Sequence, residues 1–375
     1  MRIVVAPQEY KGTLTAREAA EAIATGVRRA LPEAEIDLAP VSDGGPGLVD
    51  AMLSATHGRL MPARVKDPLC REIDAAWGLL DDDTSIIEMA AASGLLLLTQ
   101  DERNPRLATT NGVGQLIAAA LVSGSKRIIV GVGGSATNDG GAGMAAALGV
   151  RFLVADGFEL APGGAALASL DRIDLAAMDQ RVAETAFIAA TDVTNPLCGR
   201  EGASLVYGPQ KGATIEMAQE LDAALRRYGA IIERDLGVSV ADVAGAGAAG
   251  GLGAGLIAFL GAEVRPGFGV VAEVTRLPER VAAADLVITG EGRLDGQTAY
   301  GKTVSRVAAL AREAGVPVIA VPGALGEGWE EMREALDAIE AADEGGNEPS
   351  ERLSAAVERA VHSWYRRAKG GSGWR

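Results

Sequence analysis

Cysteine is almost missing from this 375-residue chain: Cys70 and Cys198 are the only two, at no metal-like spacing. That scarcity excludes a disulfide scaffold and predicts two free thiols in a reducing cytoplasm. Histidine is equally scarce. His57 and His362 sit in Thr-His-Gly and Val-His-Ser contexts with no partner motif, which argues against histidine acid–base chemistry and a histidine metal site. Aromatic residues are 4% of the chain, so Ala, Val, Leu and Ile carry the apolar load, as in α/β folds built on small-residue packing. Positive charge is in deficit. A net charge of −15 argues against nucleic acid and an anionic membrane as partners. An anionic ligand then needs a local cluster of Lys and Arg against that field. No apolar run approaches the ~20 residues of a membrane-spanning helix. Met1 leads straight into an apolar run and Pro7, without a signal-peptide pattern.

What is present is length and apolar content. At 375 residues and 48% hydrophobic, the chain is expected to form two domains with ample cores. The stretch 127–149 organises it. Ile128, Ile129, Val130 and Val132 read as a buried strand, residues 133–141 as a polar, glycine-dense turn, and 143–148 as the start of a helix closed by Gly149. Strand, glycine loop and helix together aim backbone N–H groups at one spot, and the helix dipole adds partial positive charge there, which suits a phosphate. The alternative is a tight turn that merely needs small residues. Ser135, Thr137, Asn138 and Asp139 beside the glycines favour a ligand loop, with Ser135, Thr137 and Asn138 as donors.

Residues 3–6 read as a strand and 8–15 as a polar loop carrying Lys11. Thr15 suits the N-cap of a helix over 16–30, with Glu18 completing a capping box. A strand at 35–38, a loop at 41–47 and a further helix follow. This βαβα opening predicts a parallel sheet with ligand loops at the carboxyl ends of its strands, which makes Lys11 and Asp43 site candidates rather than plain exposed loop charges. Alternation over 59–77, broken at Asp67-Pro68, points to antiparallel pairing and a second domain. Glu88 in the strand 85–89 needs partners, as a hydrogen-bond hub or as a site residue. Helices are expected over 115–122 and 214–232, and strands at 150–154 and 187–190. Asp192 stands just past the last of these, a common placement for a base or metal ligand. The strand 286–289 leads into a loop crowded with Glu291, Arg293 and Asp295, then a helix over 303–313 and a strand at 316–321. This closure matches the opening, so residues 1–57 and 284–375 are expected to form one parallel-sheet domain with 58–283 inserted. A last amphipathic helix is expected over 350–367.

Three pattern matches point elsewhere. Gly131, Gly133 and Ala136 fit G-x-G-x-x-A, and Gly245, Gly247 and Gly250 fit G-x-G-x-x-G, yet neither is followed by the acidic residue that a dinucleotide fold places at the next strand end. The glycines of 245–255 read better as close helix packing or a hinge. Residues 296–303 fit the P-loop letters, but six residues separate them from the preceding strand, so Lys302 is expected at most to touch phosphate as a point charge.

Taken together, several stretches resemble the bacterial glycerate kinase family, the one unrelated to ribokinase and P-loop kinases. They are Val-Ala-Pro-x-x-x-Lys11-Gly-Thr-Leu-Thr-Ala, Asp43-Gly-Gly-x-Gly, Glu88-Met-Ala-Ala-Ala-Ser-Gly, Ala-Thr-Thr-x-Gly-Val-Gly114, the loop from Gly133 to Met144, Asp192-Val-Thr-Asn-Pro-Leu, Tyr207-Gly-Pro-Gln-Lys-Gly212, the glycine run at 245–253 and Ile288-Thr-Gly-Glu-Gly-Arg-Leu-Asp295. The resemblance implies two α/β domains, one flavodoxin-like and one with a mixed sheet, and transfer of the ATP γ-phosphoryl group to D-glycerate with Mg²⁺, 2-phosphoglycerate being the favoured product. For that chemistry, placement in strand-end and glycine-rich loops gives catalytic roles to Lys11, Asp192, Arg293 and Asp295, nucleotide contacts to Gly133, Gly134, Ser135, Thr137, Asn138 and Lys302, substrate contacts to Asp43, Asn195, Glu291 and Thr298, and Mg²⁺ binding to Asp192, Glu291 and Asp295. Asp192 is favoured over Asp295 to orient the acceptor hydroxyl. Expected partners are D-glycerate and ATP, with a homodimer as a candidate assembly. The chain departs from the family at Gln8-Glu9-Tyr10, where Asp-Ser-Phe is usual, at Pro46 and Leu48, which replace a glutamate and a threonine, and at Asn111, which replaces a tyrosine. A related small hydroxy acid as acceptor, or a non-catalytic ligand-binding relative, is the alternative.

Overall fold

A computed structural model describes residues 1–296, 303–342 and 348–370. Contacts divide the chain into two compact units. The first comprises Met1–Asp43, Asp50–His57 and Phe268–Arg375, the second Gly44–Val49 and Gly58–Gly267. The chain is α/β, with one parallel sheet built from both chain ends and one mixed sheet from the middle.

The first unit carries a five-stranded, all-parallel sheet in the order Ala338–Ile339, Val318–Ala320, Leu286–Thr289, Arg2–Val5, Glu35–Leu38. Ile3 lies opposite both Leu286 and Ile36, so chain start and chain end are neighbours in one sheet. This is the flavodoxin-like strand order. Ile3, Val4 and Val5 are fully buried, as expected of a β-branched run covered on both faces. The helix Ala16–Ala30 begins at the predicted capping box, with Thr15 Oγ1 accepting from Glu18 N and the Glu18 carboxylate accepting from Thr15 N. Its Ile23 and Val27 share a core with Leu353, Val357 and Val361 of the C-terminal helix Pro349–Gly370.

The second unit carries a six-stranded mixed sheet in the order Glu263–Arg265, Ala186–Ala190, Arg127–Gly131, Thr84–Glu88, Glu72–Leu79, Arg59–Lys66. The first four strands run parallel, and the last two form the antiparallel pair that the alternation at 59–77 predicts. Glu88 has the partner that a half-buried carboxylate needs, accepting from Val49 N at 2.8 Å. The helix expected over 115–122 is longer, Asn111–Val122, because the glycines at its start pack on other backbone rather than ending it. The run 245–255 is indeed a close-packing device. It enters the helix Ala248–Leu260, bent at Ala249, Gly250 and Gly251, and lays backbone on backbone against the loop at 137–141. No helix among the described residues is long and apolar enough to cross a membrane.

Candidate functional site

A parallel sheet sends all its carboxyl-end loops to one edge. In the first unit those loops enclose a cavity of about 560 Å³. Lys11 comes from the loop after Arg2–Val5, Asp43 from the loop after Glu35–Leu38, and Glu291, Arg293 and Asp295 from the segment after Leu286–Thr289. The structure thus brings five predicted residues, far apart in sequence, into one lining. The loops are stitched to each other: Gln8 N donates to Gly290 O at 2.9 Å, and Thr289 Oγ1 to Ala6 O at 2.8 Å. Buried Tyr10 wedges between them, its hydroxyl donating to Val321 O. Gly290 makes room for that ring, since a Cβ there would lie 2.1 Å from the Tyr10 hydroxyl. Arg293 is held at the rim by a short parallel pairing of Arg293–Leu294 with Ala324–Leu325.

The lining mixes signs. Lys11 and Arg293 are exposed cations beside Glu9, Asp43, Glu291 and Asp295. Gln8 Nε2 donates to Asp43 Oδ2 at 3.2 Å. Burial, and then the charge of Asp43, pushes the Glu9 carboxyl up, while Lys11 pulls it down. Burial and the nearby Glu291 raise the Tyr10 phenol far above its ordinary range. Among the described residues no group of three or more acidic, histidine or cysteine side chains forms a metal cage. Glu291 and Asp295 still fit Mg²⁺, which keeps several waters and needs only one or two carboxylates. Cations with a pair of carboxylates can bind a polyanion that arrives with a divalent metal. Arg352 also lines this cavity, from the C-terminal helix, and its Nε is buried without a partner among the described residues. In sequence it reads as the solvated face of an amphipathic helix, and nothing local marks it.

In the second unit the organising loop leaves the strand Arg127–Gly131 and enters the helix Ala142–Ala147, as the sequence predicts. The anion at that helix N-terminus is the chain's own. Fully buried Asp139 accepts from Gly141 N and Gly143 N at 3.2 Å each, from Thr110 N at 2.8 Å, and from the hydroxyls of Thr109 and Thr110 at 3.2 and 3.0 Å. Burial drives its carboxyl up and these donors pull against that. The expectation of a phosphate on the helix N-terminus is therefore corrected: a buried carboxylate needs donors and has taken them. Thr137 and Asn138 are fully buried, Thr137 Oγ1 donating to Ala249 O and Asn138 Nδ2 to Ser204 Oγ at 2.9 Å. Both donors are spent on protein partners, while Asn138 Oδ1 is buried without a partner among the described residues. Gly134 is exposed, Gly133 half-buried, and Ser135 lies at the edge with 8% exposure.

Asp192 is exposed just past Ala186–Ala190, and the turn after it is held by its neighbour, Thr191 Oγ1 accepting from Val193 N at 3.1 Å. Asn195 is committed locally, donating to Glu201 O at 2.7 Å and accepting from the Tyr207 hydroxyl at 2.8 Å. Thr298 and Lys302 lie outside the described residues. Sequence reasoning passed over Lys211, which is 1% exposed and donates from Nζ to Ser135 Oγ at 2.7 Å and Thr137 O at 2.8 Å. Its turn, Gly-Pro-Gln-Lys-Gly, reads as a surface loop. The signal that points to it is the excess of glycine around a single lysine, which lets backbone close over a side chain.

Comparisons with known proteins agree with one another. The model of the "Glycerate kinase family" matches residues 3–367. A glycerate kinase of Halalkalibacterium halodurans is 50% identical over 333 residues, 88% of each chain. A glycerate 2-kinase of Escherichia coli K12 is 48% identical over 87% of this chain and 86% of its own. A glycerate kinase 2 crystal structure from Salmonella typhimurium LT2 superposes with a TM-score of 0.88 at 45% identity, covering 99% of both chains.

Proposed function

Because this chain belongs to the glycerate kinase family, we propose that it transfers the γ-phosphoryl group of ATP to a hydroxyl of D-glycerate with Mg²⁺, forming 2-phosphoglycerate. The observation that carries the reading is the first-unit cavity, where two cations from separate strand-end loops stand beside paired carboxylates. In an acidic protein, Lys11 and Arg293 supply the local positive charge that binds phosphate or the glycerate carboxylate. Glu291 and Asp295 would hold Mg²⁺, which would supply charge neutralisation at the phosphates. Phosphoryl transfer is mostly positioning and charge neutralisation, with one carboxylate directed at the attacking hydroxyl. We give that role to Asp192, which takes the hydroxyl proton as the oxygen bonds to phosphorus and ADP leaves. The turn after Asp192 is held by Thr191, which supports a role for Asp192 other than capping. In the second unit, Gly133, Gly134 and Ser135 form the nucleotide-facing edge, and Thr137 and Asn138 brace it. The name of the Escherichia coli relative supports the 2-phosphoglycerate product. We read the two compact units as two domains and, with both thiols free, the cytoplasm as the setting.

The test is Asp192→Asn, assayed by coupled phosphorylation of D-glycerate beside other small hydroxy acids. The substitution keeps shape and removes charge, so kcat should fall by orders of magnitude while Tm barely moves. Near-normal turnover in the folded variant moves the role to Asp295. Phosphorylation of another hydroxy acid in preference to D-glycerate overturns the substrate.

A further inference from the structure

Lys211 is a fully buried ammonium with two named partners, both on the organising loop: Ser135 Oγ and Thr137 O. It is the one lysine among the described residues that is buried. An ammonium can only donate, so Ser135 Oγ must accept. The Ser135 hydroxyl proton is thereby turned away from Lys211, and it has no acceptor among the described residues. A neutral amine reverses this, because its lone pair can accept the Ser135 proton and draw it inward. We propose that Lys211 is a positioning residue that sets the polarity of Ser135, so that the serine donates outward to a phosphate oxygen of the nucleotide only while Lys211 is charged. The proposal rests on the reading of residues 133–135 as the nucleotide-facing edge.

The surroundings make this polarity switchable near neutral pH. Burial pulls the Lys211 pKa down to about 7, and Asp139 pulls it the other way. Asp139 belongs to the same loop. Behind it stands the Tyr228 phenol, from the helix Ile215–Leu236, raised by burial and by Asp139. Arg103 backs the turn through its carbonyl, against which Gly212 packs. The proton that Lys211 gains or loses with pH exchanges with solvent past Ser135, which is buried but keeps 8% exposure.

The experiment measures ATP affinity, with Mg²⁺ present, from pH 6 to pH 9 by titration calorimetry on the wild type, Ser135→Ala, Lys211→Met and Lys211→Arg. In the wild type, affinity should fall about tenfold as pH rises through the Lys211 titration, the worth of one charge-assisted hydrogen bond. Ser135→Ala should bind about tenfold more weakly at pH 6 and lack that step. Lys211→Arg, permanently charged, should keep tight binding at pH 9, and Lys211→Met should be weak throughout. Wild-type affinity in Ser135→Ala overturns the reading of the loop itself. Weak binding by Ser135→Ala, together with a pH profile parallel to the wild type, leaves that reading intact and overturns the role of Lys211. If Lys211→Met does not fold, the wild-type and Ser135→Ala profiles decide alone.

Discussion

Lys11 and Arg293 are exposed side chains, and exposure ordinarily makes a charge worth little. Their interest lies in company: each faces a cavity lined by four carboxylates, in a chain of net charge −15. Under the proposed function, these cations bind the incoming anion. Lys11→Ala and Arg293→Ala should each lower kcat/KM by at least ~tenfold, or about 1.4 kcal/mol, in steady-state assays. Wild-type kinetics in both variants would move the site elsewhere. These residues were legible in sequence because each follows a strand end, a position readable from hydrophobic runs and polar breaks. Asp139 and Lys211 were not. Their character comes from burial, and no neighbour in sequence announces it.

Among the elements, the helix Ala16–Ala30 was fully legible, since a capping box is a local contract between residues three apart. The strand Leu286–Thr289 and the helix Thr303–Glu313 were legible from their apolar spacing between polar and glycine breaks. The organising loop was legible as strand, turn and helix; what was not legible is that Asp139 occupies the helix N-terminus and that Thr137 and Asn138 donate to protein partners. What shapes that loop is a second element. Gly250 has φ +69°, and a Cβ there would lie 1.9 Å from Thr137 O. Gly261 has a similar φ of +61° with nothing within 4 Å. Gly261→Ala should cost only the left-handed backbone, about 1 kcal/mol. Gly250→Ala adds displacement of the loop, so its urea midpoint should drop further and its ATP affinity should fall. Equal effects of the two substitutions would mean that the loop does not depend on this close approach.

At the scale of the whole molecule, each unit has a hydrophobic core of its own. Ile288 belongs to the first and Leu116 to the second, both fully buried. Truncating either to Ala should cost about 2–5 kcal/mol in urea unfolding, and a loss below 1 kcal/mol would show a core able to collapse around the gap. The sequence by itself determined the α/β class, the pairing of chain start with chain end, the mixed character of the middle sheet, the family, and the strand-end loops that hold Lys11, Asp43, Glu291, Arg293 and Asp295. Periodicity, turn chemistry and capping act between near neighbours, so these can be read along the chain. Only the tertiary structure decided that the helix N-terminus after Ser135 is filled by Asp139, that Lys211 points inward at Ser135, and that Arg352 reaches the cavity. The partners involved lie 29 residues apart for Asp139 and Thr110 and 76 apart for Lys211 and Ser135. Over such distances a polar side chain takes whatever donor or acceptor the packed fold brings to it, because leaving it unpaired in the interior costs more than any local preference.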